Sequence, residues 1–552
     1  MKEKNTKDSV SKQASDDTKG GKPEDSRAAS VLNNAISQSG EADRRGSSKG
    51  GTGSDVSGND KDDQGQKPFH MSQRTLEQFF SYCDDVIVDS HRVGNPPVAA
   101  IIVYNCGMAE TNMINDVIIP ELNRIFEKTK FLRVVDVENE ANLVWVQVDP
   151  NTSQFGAEAM AVRVFEGHML FCIPSLQAMW SIDVSNIPTR TPEESRTEVT
   201  IRGSGDGFIE PLAINVALIR TRLRTSELAC KFEVIGTLTA NKVAFLYMRN
   251  IANDEMIQHV HQKLQSIKVE RLLTSNQLEE LLSPLQFTIF PVTHYTGRPD
   301  FAAECLINGR FVIIVDGNPS AIIGPVNLFL LLKSPEDANF PLFSVNIGRL
   351  LRFMGLFITL FLPGFYIALT TFHMDQVPFS LVVTVSTGRM GLPMETAVEM
   401  FLIMILMELF REAGVRLPMA IGQTLTVVGG LIIGESAIRA GIVSPLMIVV
   451  VAVTIVAGAT VVNQVMSSSL IIIRFVTFIL SASLGIYGFI LSLILFLIYL
   501  TGLESFGVPY LAPLSPLNIK QAYAALFKLP RTWNKRRPLY LETKSPRKDE
   551  GN

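Results

Sequence analysis

The sequence predicts an α/β two-lobed cytoplasmic domain followed by an all-α polytopic transmembrane domain, and three observations predict it. The 552 residues are 47% hydrophobic but only 19% charged, below the quarter usual in soluble domains. From Phe353 to Ile519, only 12 of 167 residues carry a charge. Between Lys67 and about residue 340, short apolar runs instead alternate with amphipathic stretches of helical period, the pattern of sheets covered by helices.

Charge and cysteines narrow the function classes. A formal charge of −4 leaves no global positive field to hold nucleic acid, so no nucleic-acid partner is expected. Cys83, Cys106, Cys172, Cys230 and Cys305 all precede residue 306 and form no CxxC pair. That argues for a reduced compartment over a disulfide scaffold or zinc ribbon.

Residues 1–66 hold 11 Lys/Arg, 12 Asp/Glu and 20 Gly/Ser, too little apolar surface to offset chain entropy, and are expected to be a disordered hydrophilic tail. No apolar segment follows Met1 and position 2 is Lys, so neither a signal peptide nor myristoylation is expected. The first lobe is expected over 67–200, with strands at 98–104, 143–148, 162–165 and 169–173, a helix over 111–131, and a hairpin at Glu166-Gly167. The second is expected over 201–345. Its helices are placed at 207–224, 254–267 and 299–307, and its strands at 231–235, 243–247, 287–290 and 311–315, the last closed by Asp316-Gly317.

The transmembrane region is expected over 346–519. Roughly 20 apolar residues cross a hydrocarbon core of ~30 Å, and uncharged runs occupy 353–374, 417–434, 440–473 and 475–503, with 393–410 apolar apart from Glu395, Glu399 and Glu408. The tail 520–552 carries nine Lys/Arg against three Asp/Glu and is expected to stay cytoplasmic. An amino-terminal domain on the same side requires an even number of crossings, six being expected and four the alternative.

Polar and small residues mark what the helices do. Glu395 and Glu399 share a helix face and either line a cation path or sit at an exposed helix start, where a carboxylate suits the dipole. Asn463, Gln464 and serines 467–469 read as a loop, and Arg474 as snorkelling to headgroups. Gly430 and Gly434 form a GxxxG step, and Ser481 with Gly485 repeats the spacing, for packing between subunits or within one. Pro363 marks a kink.

No catalytic constellation, cofactor fingerprint or metal set is found, and no enzyme is expected. His259 and His261 point about 200° apart on a helix and read as solvated. No GxxxxGK[ST] occurs. Gly203 to Gly207 read as a hinge between lobes, with an anion cradle as the alternative. Arg220, Arg222 and Arg224 suit a helix end and are placed to meet headgroups or another subunit.

The run Arg202-Gly203-Ser204-Gly205-Asp206-Gly207-Phe208-Ile209-Glu210, continuing through Asn215 to Arg220 and Arg222, resembles the signature of the A subunit of GerA-type spore germinant receptors. The resemblance extends through Arg298-Pro299-Asp300, Asp316-Gly317, Ser334-Pro335-Glu336-Asp337, and Arg411-Glu412-Ala413-Gly414-Val415-Arg416-Leu417-Pro418. It implies a non-enzymatic subunit of the spore inner membrane with both termini cytoplasmic. Its partners would be a transporter-like B-type subunit that binds nutrient and a C-type lipoprotein. It would oligomerise into a ligand-gated channel for monovalent cations. Residues 202–222 and 298–300 would organise contacts between lobes or subunits, and the GVRLP turn, 414–418, would couple the cytoplasmic layer to the pore helices. A secondary transporter and a membrane scaffold are the alternatives.

Overall fold

The computed structural model describes residues 69–94, 97–142, 144–150, 157–186, 202, 205–283, 288–417, 434–530, 532–533 and 535–548. The expected tail 1–66, the motif residues Gly203, Pro418 and Gly430, and nearly all of the apolar run 417–434 lie outside them.

Among the described residues, two five-stranded antiparallel sheets follow one another. The first is built from β1 (Val86–Val93), β2 (Val98–Asn105), β3 (Trp145–Gln147), β4 (His168–Ile173) and β5 (Ala178–Asp183), in the order β1-β2-β4-β5-β3. The second uses β6 (Leu228–Ile235), β7 (Asn241–Met248), β8 (His294–Thr296), β9 (Phe311–Val315) and β10 (Ala321–Gly324), in the order β6-β7-β9-β10-β8. The orders are the same. The helices also recur: Ile119–Thr129 and Val134–Glu140 correspond to Asp254–Ser266 and Ser275–Leu282, and Glu158–Val164 to Pro299–Ile307. The chain thus repeats one β-β-α-α-β-α-β-β unit, a repeat that the residues themselves do not reveal. Central strands such as β4 and β9 are buried on both faces, which is why they read as continuous apolar runs rather than alternating ones.

Several expected elements are corrected. Residues 162–165 are not a strand: Glu158–Val164 is helical, burying Met160, Ala161 and Val164 on one face, and Gly167, at φ +89°, turns that helix into β4. Residues 288–290 are not a strand either. The Ile289 and Phe290 N–H groups donate to Tyr499 Oη, and Phe290 packs against Phe496 and Tyr510, so the ladder starts only at His294. The 207–224 helix shrinks to Leu212–Arg220, because Pro211 sits at its N-cap in an extended conformation.

Helices then dominate: Leu342–Ile367, Phe379–Gly388, Thr396–Arg416, Pro445–Ala459, Gln464–Leu484 and Ile486–Gly502. Among the described residues, two stretches, Leu342–Phe372 and Gln464–Leu484, are long and apolar enough to cross a membrane. Pro363 lies inside the first helix, and a π-turn, Ala368–Phe372, follows it. The 440–473 run is two helices broken at 460–463, and Asn463 with serines 467–469 is a cap and a helix rather than a loop. Arg474 does not reach outward: it is 8% exposed and pairs with Glu408 at 3.3 Å.

Small residues let these helices approach. A Cβ on Gly364 would meet Ser481 Oγ at 2.8 Å and Thr477 Cγ2 at 2.9 Å, and one on Gly458 would meet Thr359. Ser481 therefore packs within one chain. After Gly502 the chain returns to the second sheet: Ser505 Oγ accepts from Val326 N and donates to Val292 O, and Asn327 Nδ2 donates to Ala512 O. The basic tail lies on the same lobe, with Lys544 bonded to Ile251 O and Asp254 and Arg537 to Ile307 O.

Gly364→Val should overpack this contact at a cost of about 1–3 kcal/mol and lower the thermal midpoint of the detergent-solubilised chain. Gly388→Val, where nothing lies within 4 Å of a Cβ, should leave it nearly unchanged.

Candidate functional site: charged joints between sheets and helices

The first joint lies between the two sheets. Tyr82 to Asp84 run beside β6, with Cys230 N donating to Tyr82 O at 2.8 Å and Asp84 N to Cys230 O at 2.9 Å, so the edge of the second sheet is extended by chain leading into the first. Asp85 follows. Its carboxylate accepts Arg220 Nε and Nη2, both at 2.8 Å, and Asn105 Nδ2 at 2.7 Å. Arg220 is fully buried, with its guanidinium 4.1 Å from the centre of the Phe165 ring. A charge taken wholly from water must be paired and hydrogen-bonded, and Thr225 O takes a further donor. Arg224 pairs with Glu166 at 2.9 Å across the same boundary. Arg222 pairs with Asp206. All three arginines thus bind neighbouring carboxylates, Arg220 fully buried and Arg224 still partly exposed.

The second joint ties the 205–211 segment down. Asn215 accepts the Ile209 N–H at 2.8 Å and donates to Ile209 O. Phe208 N donates to Gly297 O, and Gly317 N, at a φ of +78° that suits glycine, donates to Glu210 O. Asp316 Oδ1 accepts Leu212 N at 2.9 Å, capping the helix that ends in Arg220. Gly207 is buried and the Glu210 side chain exposed.

The third joint connects the second sheet to the first long helix. Arg298, 1% exposed, opens the helix whose first turn holds Pro299 and Asp300. It is bidentate to Asp300 and also binds Glu336. Arg202 N donates to Glu336 Oε2, and Asn339 Nδ2 to Arg202 O. The next residue, Asp337, binds Arg349 Nε at 2.9 Å and Arg352 at 2.9 and 3.0 Å, both from the Leu342–Ile367 helix. Lys528, from the tail, donates to the carbonyls of Asp337, Ala338 and Phe340. One short turn, Pro335–Ala338, capped by Ser334, thus gathers sheet, helix and tail. Burial alone raises the Asp337 carboxyl, but Arg352 and Arg349 outweigh it and hold it below the usual aspartate range.

Among the helices, Glu395 is the exposed N-cap of the 396–416 helix, whereas Glu399 is fully buried and accepts the Ser444 N–H. Glu399 is thus not the exposed helix-start carboxylate expected. Arg411 pairs with Glu408, which also meets Arg474. Glu412 and Arg416 form an exposed i,i+4 pair at 2.7 Å, Gly414 is half-buried, and Gly434 lies beside Ile448. Asp85, Asn105, Arg349, Arg352 and Lys528 were not among the expected site residues. Ser334 to Asp337 carried a readable signal, a capping sequence before an apolar run; Asp85 carried none.

The model of the Bacillus/Clostridium GerA spore germination protein family matches residues 74–540. Spore germination protein XA of Bacillus anthracis is 37% identical over 489 residues, covering 87% of this chain and 97% of that protein. Spore germination protein KA of Bacillus subtilis (strain 168) is 33% identical over 460 residues, covering 82% and 83%. A crystal structure of the N-terminal domain of the A subunit of the Bacillus megaterium spore germinant receptor GerK3 is 23% identical, covers 46% of this chain and 92% of that one, and superposes with a TM-score of 0.36.

Removing one partner of the buried pair, as in Asp85→Ala, should cost about 3–5 kcal/mol, read as earlier urea unfolding by tryptophan fluorescence, since Trp145 and Trp180 both lie in the first sheet. The double change Asp85→Leu with Arg220→Met should recover part of that loss. For Asp337, a depressed folded-state pKa means stability that is complete above the unfolded value of about 3.9 and disappears as pH falls through the folded one. Asp337→Asn should therefore lower the thermal midpoint at pH 7, and the difference from wild type should vanish below that range.

Proposed function

Since the chain belongs to the Bacillus/Clostridium GerA spore germination protein family, we propose that it is the A-type subunit of a nutrient germinant receptor in the spore inner membrane. The observation that carries this reading is that kinship spans both the two sheets and the helices, over residues 74–540. Spore germination protein A1 of Bacillus subtilis (strain 168), 34% identical over 414 residues, also supports it.

In this reading, the two lobes, 67–200 and 201–345, are cytoplasmic, and the helices of 346–519 form a polytopic membrane domain. The docking of the basic tail on the second lobe supports placing both termini on one side, with an even number of crossings. The subunit works with a B-type transporter-like subunit that binds nutrient and a C-type lipoprotein, and copies of it assemble around a cation-conducting pore. Nutrient binding in the partner favours one arrangement of the lobes, and the turn carrying Glu336 and Asp337 passes that preference to the Leu342–Ile367 helix. A ligand shifts such an equilibrium only by its differential affinity for the two arrangements. Residues 202–222 and 298–300 hold the lobes in register, and the GVRLP segment, 414–418, couples the cytoplasmic layer to the pore helices.

Spores lacking the gene should lose the fall in optical density triggered by at least one nutrient from a panel of amino acids, sugars and nucleosides, and recover it on complementation. A deletion strain responding to every nutrient like its parent would refute the receptor role.

A further inference from the structure

The start of the 464–484 helix is held by a residue of the second sheet. Asn463 caps that helix, its Oδ1 accepting the Met466 N–H at 2.8 Å. The cap decides which way the amide faces, so Nδ2 is the group that meets His294 Nδ1, also at 2.8 Å. An amide NH2 can only donate. Nδ1 is therefore the acceptor, and the ring proton resides on Nε2, which is buried and has no hydrogen-bond partner among the described residues.

His294 is the first residue of edge strand β8, in register with Ile323 of β10, and its ring meets the Phe301 ring edge-on at 5.4 Å. These neighbours are uncharged; Arg310 is the charged group that bears on the imidazole. Burial first, and Arg310 second, push the imidazole down to about 4. The matching first position of the first sheet's edge strand β3 is Trp145, whose indole nitrogen can donate but not accept, so the first sheet cannot make this contact.

We propose that His294 and Asn463 form the joint by which the second lobe controls the capping of the 464–484 helix. The joint's part in signalling rests on the receptor reading; its physical action does not. A proton arriving at Nδ1 sets donor against donor. To restore the bond the amide must turn over, which takes Oδ1 away from the Met466 N–H and uncaps the helix. Neutral His294 keeps the joint closed. Its contribution is complete above the ordinary histidine pKa of about 6.5 and is lost as pH falls through the folded value.

The test is hydrogen–deuterium exchange of the full chain in detergent, read at the amides of residues 465–468 and corrected for intrinsic exchange rates. At pH 7, His294→Leu should reduce protection there by roughly fivefold, the worth of one helix cap, while His294→Gln, which keeps an acceptor, should preserve it. Going from pH 7 to pH 4 should reduce protection in the wild type but not in His294→Gln. Equal protection in wild type and His294→Leu, or the same acid loss in wild type and His294→Gln, would overturn the joint. Exchange is read without nutrient, so failure here is distinct from failure of the receptor role.

Discussion

The two sheets meet over one desolvated ion pair, Arg220 with Asp85. Arg220 has no water to fall back on, and its charge is tolerable only because Asp85, Thr225 O and the face of Phe165 surround it. Buried pairs of this kind add little net stability against an apolar replacement, but they penalise any geometry in which the partners separate. That asymmetry makes the pair a selector of arrangement. Asp85 sits where the first sheet begins and Arg220 where the helix ahead of the second sheet ends, so sliding one sheet along the other would strand both charges.

The same logic recurs one layer down. Glu336 and Asp337 are adjacent in sequence, yet one faces Arg298, at the start of a second-lobe helix, and the other the two arginines of the long helix. Arg298 and the long helix are thus joined through a single capped turn. Lys528 closes the turn's carbonyls from the tail, and the hairpin at 504–509 brings the chain after Ile486–Gly502 back to the same lobe. The second lobe, not the first, carries these attachments. In this spore germination protein the polar contacts between the sheets and the long helix therefore converge on the second lobe.

Much of the fold was legible before the structure. Strands such as Val98–Asn105 and Phe311–Val315 are uninterrupted apolar runs, and Asp254–Ser266 has its helical period and an Asn cap. The errors came where tertiary contacts replace local ones: Phe290 was read as a strand residue because it is apolar, but Tyr499, about two hundred residues later, takes its N–H. Arg474 and Glu399 were read by composition as surface or helix-start groups, whereas partners on other helices hold them inside.

By itself the sequence determined the division into a globular part and a helical one, and the family, because hydropathy, periodicity and ordered motifs are properties of neighbouring residues. It could not determine the repeated five-stranded order, since the units share topology through strand pairing rather than through matching side chains. Nor could it pair Asp85 with Arg220, or His294 with Asn463, separated by 135 and 169 positions. Such partners are chosen by which polar groups the packed chain leaves without water, and only the tertiary structure decides that.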